Sequence, residues 1–139
     1  MYSEAQEIAE SEQLRNKLNT SEIVQTYQAT IFVGLREGYD GPIHNVSEVE
    51  KLCCDYCTEV GLCVTVTPTR FCYKNGDEAG AIIGLINYPR FPSDPATIDA
   101  HAKSIAKRCL EAFGQNRVGY IAGGETSMWI RTEPTEGGK

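Results

Sequence analysis

Residues 62–88 read LCVTVTPTRFCYKNGDEAGAIIGLINY, and this stretch decides the fold. Val64 and Val66 alternate with Cys63, Thr65 and Thr67, the two-residue period of a strand with one buried face. Pro68 has no N–H to give to a ladder, so it marks a bulge or an edge position, which makes this strand an edge candidate. Asn75-Gly76 is a hairpin signal. From Gly80 to Tyr88 the run Ile82, Ile83, Leu85 and Ile86 is nearly continuous, the pattern of a central strand covered on both faces.

Outward from this hairpin, each side carries a strand and a helix. Residues 26–36 are β-branched and aromatic and read as a strand. Gly38 to Pro42 make a loop. Asn45 or Ser47 caps a helix whose face is Val46, Val49, Leu52 or Cys53, Tyr56 and Val60, and Gly61 ends it. Beyond the hairpin, Pro89, Pro92 and Pro95 punctuate a loop. Ser93 or Asp94 caps a second helix with Ile98, Ala102, Ile105, Cys109, Leu110 and Phe113 inward. Residues 117–131 hold a last strand, or a hairpin broken at Gly123-Gly124. The order is strand, helix, strand, strand, helix, strand. This is an α+β fold of the β-α-β-β-α-β type with a mainly antiparallel sheet. Right-handed crossovers place both helices on one face. The other face is left to a partner, with Tyr27, Phe32, Phe71, Tyr73, Tyr120 and Trp129 as aromatics that would cover it, so a homodimer or higher oligomer is expected.

The expected organisation is an acidic N-terminal arm or helix over residues 1–25, one ligand-binding domain over 26–131 and a disordered tail over 132–139. The 139 residues fit one domain. A net charge of −6 repels DNA and anionic membrane surfaces, so neither is an expected partner. No apolar run is long enough to span a bilayer, and no basic-then-apolar leader opens the chain. An intracellular location follows. The six cysteines then read as free thiols packed as small hydrophobes. Cys54-x-x-Cys57 has no second pair, and His44 and His101 do not complete a metal site.

Three stretches are candidates for ligand binding. Arg36, Glu37, Tyr39 and Asp40 sit among Gly38 and Gly41 between a strand and a helix N-terminus, where backbone approaches a ligand closely and an anion is favoured. Asn87, Tyr88, Arg90 and Phe91 offer an amide, a guanidinium and two aromatics, a set suited to stacking on a base and pairing with phosphate. Arg70 and Phe71 lie on opposite faces of the edge strand. Arg117 and Arg131 add cations near the last strand. The first and third strands run antiparallel, so the Arg36 and Arg90 loops leave opposite edges of the sheet and would meet only across an oligomer. Catalysis is poorly marked. His44 is the better general-base candidate, although a helix N-terminus disfavours its charged form. His101 reads as structural. Asp77 and Glu78 follow the hairpin turn and read as solvated.

Phe32 to Gly41 (FVGLREGYDG), Val60 to Thr69 (VGLCVTVTPT) and Gly84 to Pro92 (GLINYPRFP) resemble phage Thoeris anti-defence sponge proteins, over roughly residues 29–131. The resemblance implies a phage protein acting in the host cytoplasm. It implies binding and sequestration of a cyclic ADP-ribose immune signal at subunit interfaces, and for some members of cyclic oligonucleotides of the kind used in CBASS defence. It implies no turnover, hence no enzyme, no cofactor and no metal. Two other readings stay open: a cyclic-nucleotide phosphodiesterase built on His44, and an inhibitor that blocks a host factor through the acidic arm or the exposed sheet.

Overall fold

The structure, a computed structural model, describes residues 3–8 and 22–133. Residues 4–8 form a helical turn; the remainder of the expected arm up to residue 21, and the tail beyond 133, lie outside the described residues.

Five strands make one antiparallel sheet. They are β1 (Gln28–Gly34), β2 (Val64–Tyr73), β3 (Gly76–Ile86), β4 (Arg117–Ala122) and β5 (Glu125–Ile130), in the order β2-β3-β1-β4-β5. β2 is an edge, and its ladder to β3 runs without a break through Pro68 opposite Ala81. Pro68 is therefore an edge proline and not a bulge. β1 and β3 pair antiparallel, as expected.

Helices α1 (Val46–Val60) and α2 (Pro95–Ala112) cover one face. Asn45 caps α1: its side chain accepts from the N–H of Glu48, whose carboxylate accepts from the N–H of Asn45 at 2.8 Å. Asp94 caps α2 by accepting from Thr97 N–H at 2.7 Å. Gly61 ends α1 in the left-handed region. The core lies between this helical layer and the inward strand positions. Ala29, Ile31 and Val33 come from β1 and Leu35 follows it, Ala81, Ile83 and Leu85 come from β3, and Val118 and Tyr120 from β4. They meet Val49, Cys53 and Tyr56 of α1 and Ile98, Ile105 and Cys109 of α2.

The hairpin turn is shifted by one residue from its sequence signal. Tyr73 pairs with Gly76, so the turn is Lys74-Asn75, and Asn75 takes the positive φ. Gly76 opens β3 instead, because a Cβ there would stand 2.5 Å from the Tyr73 ring. The final stretch is the hairpin alternative, with Gly123 and Gly124 both at positive φ in a two-residue turn.

Three expectations are corrected. β3 is central but not covered on both faces: on the side away from the helices Ile82 and Gly84 stay partly exposed, with Thr65 beside Gly84, and Ile86 is 43% exposed. An apolar run therefore records pairing on both edges of a strand without guaranteeing cover on both faces. The aromatics divide between the faces. Phe32, Phe71 and Tyr73 lie on the open side, whereas Tyr120 is buried, Trp129 packs on the core and donates to Lys103 O at 2.9 Å, and the Tyr27 hydroxyl donates to Asp99 of α2 at 2.7 Å. Of the cysteines only Cys53 and Cys109 are buried, and burial pushes the Cys53 thiol up to about 12. Cys54, Cys63 and Cys72 are exposed. Among the described residues no cluster is fit to hold a metal, and no helix is long and apolar enough to cross a membrane.

Candidate functional site

On the open face four glycines of the central strands alternate with Thr30, Phe32 and Ile82. Gly34 of β1 faces Gly80 of β3, and Gly84 and Gly119 lie on the same side. A Cβ at Gly80 would stand 2.2 Å from the Phe71 ring, so the ring lies directly on backbone. This lane runs into a polar notch at the C-terminal end of β1.

Arg36, Gly38, Tyr39, Glu78, Gln115, Asn116 and Arg117 line the notch, about 150 Å³ in volume. Arg36 bridges Ile43 and donates from Nη1 to Gly41 O at 3.2 Å, which folds the loop back upon itself. Glu78 enters from β3 on the same side as Gly34 and Gly80. It is partly buried, and burial raises its carboxyl above the ordinary value, with the Arg36 guanidinium acting in the opposite direction. Ion pairs among the described residues join His44 to Glu37 and Glu48, Lys51 to Asp55, Arg70 to Asp77 and Arg108 to Glu59. The charges of Arg36, Glu78 and Arg117 are in none of them.

Gln115 forms the inner wall. It is 7% exposed, and its Nε2 donates to Arg36 O at 2.8 Å and to Phe113 O at 3.0 Å. Arg131 fixes the same turn from outside, donating to Gln115 O at 3.0 Å and to Leu110 O at 2.6 Å.

Of the residues predicted from sequence, Arg36, Tyr39 and Arg117 come together here. Asp40 is exposed on the loop beside them. Glu37 turns away, and its carboxylate meets His44 Nε2 at 2.8 Å. Arg131 is a brace for the end of α2, and Arg70 pairs with Asp77 at 2.8 Å across the hairpin. The second cluster stands at the opposite end of the sheet, as the topology required. There Asn87 is structural, donating to Gln25 O at 2.8 Å and accepting from Ser93 N–H at 2.9 Å. Tyr88 and Phe91 stack with centroids 6.3 Å apart, and Arg90 lies 5.7 Å over Phe91.

Glu78 and Gln115 were not among the sequence candidates. The expectation that Glu78 is solvated is corrected: its alternation with Gly80 and Ile82 puts it on the open face, where β1 and the Gln115 turn crowd it. At the helix N-terminus near Arg36 the capping box already takes the N–H groups of Asn45 and Glu48. His44 also differs from expectation. Burial disfavours its charged form, but hydrogen bonds to Glu48 at 3.1 Å and Glu37 at 2.8 Å outweigh burial and raise its pKa above 6.5. A raised folded-state value means stability fully present below about pH 6.5 and lost as pH rises through the folded value. Urea midpoints of the parent and His44→Gln should therefore differ most near ~pH 6 and converge by ~pH 8.5. A gap independent of pH would show that the imidazolium has no part in it.

No family model and no curated protein matches the chain. Among solved structures it is similar to a phage SAM lyase in complex with S-methyl-5'-thioadenosine, at 17% identity and a TM-score of 0.60, over 80% of this chain and 95% of that one. The apo lyase gives 18% identity and a TM-score of 0.59, over 78% and 91% of the two chains. At this identity the likeness establishes the fold. It also runs against the expectation of a protein that is no enzyme, because both of these similar structures are of a lyase.

Proposed function

We propose that this chain, through residues 26–131, is a phage enzyme that cleaves SAM at its sulfonium, with the notch at Arg36, Glu78 and Arg117 as its binding site. One observation carries the reading: charges of both signs, outside any ion pair, converge on an uncovered sheet face in the fold of a SAM lyase. A zwitterionic sulfonium substrate needs both signs, and a partly desolvated site strengthens each contact.

The bond between the sulfonium sulfur and the amino-acid chain breaks. Sulfur keeps the electron pair and leaves as the neutral thioether S-methyl-5'-thioadenosine. The vacated carbon receives a pair from the substrate's own carboxylate, closing a lactone, or from an adjacent C–H bond whose proton passes to Glu78; NMR of the four-carbon product separates the two. The notch is small beside the roughly 300–1,000 Å³ of ordinary ligand pockets. It holds the amino-acid end of such a substrate, and the nucleoside lies along the glycine lane. Ile86, Ile121, Met128 and Ile130 leave that face apolar and exposed, so a second copy covers the ligand. Loss of SAM would disarm host defences that depend on it, which is the anti-defence role. The paired guanidinium groups of Arg36 and Arg117 also suit a pyrophosphate, so a cyclic ADP-ribose signal is the second ligand to try.

Incubation with SAM, followed by chromatography, should show S-methyl-5'-thioadenosine accumulating, and light scattering should give a mass above the 15.3 kDa of one chain. SAM recovered unchanged would overturn the lyase reading. Cyclic ADP-ribose isomers run in parallel test the second ligand.

A further inference from the structure

Gln115 is held so that its amide has one possible orientation. Both Nε2 hydrogens are taken by backbone carbonyls, those of Arg36 and Phe113, so Oε1 is the end that faces the notch. A Cβ placed on Gly34 would stand 2.9 Å from this oxygen and 3.0 Å from Glu78 Oε2. Two acceptor oxygens, one neutral and one from a carboxylate, thus converge on one point above bare backbone. Both residues also line the notch, so a donor entering the notch can bridge the two oxygens and relieve their mutual repulsion.

We infer that this point is an ammonium subsite: Gln115 Oε1 and Glu78 Oε2 bind the α-ammonium of an amino-acid-bearing ligand, and Arg36 with Arg117 takes its carboxylate. An ammonium carries three donors on a compact charge and suits two oxygens aimed at one point. An anion is repelled by the carboxylate and by the amide oxygen. The inference rests on the proposed function, which puts a SAM-like ligand here, and adds which end of it the protein grips and by which atoms.

Calorimetry with three probes tests it: S-methyl-5'-thioadenosine, S-adenosylhomocysteine and Nα-acetyl-S-adenosylhomocysteine. The unmodified protein should bind S-adenosylhomocysteine at least about tenfold more tightly than its acetylated form, consistent with loss of one charge-assisted contact. Gly34→Ala should abolish that preference while affinity for S-methyl-5'-thioadenosine stays within about threefold, since the added methyl group displaces the two oxygens of the subsite. Equal binding of the amine and the amide by the unmodified protein overturns the inference, whatever the variant does. Failure of all three probes to bind overturns the proposed function instead. The ligand comparison needs no substitution, so a poorly folding variant does not stand in its way.

Discussion

Glu78→Gln should lower SAM turnover by about 100-fold or more while leaving the fold intact. The exchange keeps the shape of the side chain and removes its charge. Glu78 is the carboxylate on the open face that lies outside the ion pairs and is crowded by β1 and the Gln115 turn. Loss of one partner from a desolvated charge contact costs about 2–5 kcal/mol, or ~30- to several-thousand-fold in rate when the contact is made in the transition state. Initial rates of S-methyl-5'-thioadenosine release measure it, and a thermal midpoint within about 2 °C of the parent certifies the fold. Turnover within about threefold of the parent would remove Glu78 from the reaction. Asp77→Asn, one residue away, is the control. Asp77 is exposed and paired with Arg70, and its loss should leave the rate unchanged.

The second large effect lies in the core. Ile83→Ala should destabilise the protein by about 3–4 kcal/mol, a large part of the ~5–15 kcal/mol that separates folded from unfolded chains. Ile83 is fully buried on the middle of β3, where β1 and β2 fix the backbone on both sides and leave little room to collapse around the void. Ile130→Ala, on the open side of β5 and 58% exposed in the single chain, should change stability by less than ~0.5 kcal/mol at dilutions where the chain is monomeric. Urea denaturation of both variants gives the comparison. Equal losses would mean that the open face is buried under the conditions of the measurement, as a second copy would make it.

Elements whose signals are local were readable in the sequence. Asn45 and Asp94 cap helices because a short acceptor side chain followed by an acceptor-hungry first turn is a property of four consecutive residues. Pro68 marks an edge because a missing N–H excludes it from the interior of a sheet. Gly123-Gly124 gives the second hairpin for the same kind of reason. Signals that depend on pairing across the sheet were not readable. Glu78 is three residues from a turn and looks solvated until β1 is laid beside it and Gly34 brings its backbone under the carboxylate. Gln115 looks like a polar residue ending a helix until Arg36 O and Phe113 O take its two hydrogens. The six aromatics divide between the faces by strand register, which a one-residue shift reverses. His44 shows a weighing error of another kind. The helix N-terminus and the two carboxylates were all visible nearby in sequence, and direct hydrogen bonds to Glu37 and Glu48 prevail over the burial that disfavours the charged form.

The glycine lane has a consequence for how such a protein changes over generations. Gly34, Gly80, Gly84 and Gly119 leave four positions of the face without a side chain of their own, and the room for an added methyl group differs among them. At Gly119 the nearest atoms to an added Cβ are 3.8 and 3.9 Å away, ordinary contact distance, whereas at Gly80 they are 2.2 and 2.7 Å away. The lane thus has one margin that tolerates change and a centre that does not. Single-codon drift at Gly119 can reshape what fits over β4 and β5, while the notch around Gly34 keeps its form. A lineage built on this sheet can change the rim of the face without disturbing the charged notch.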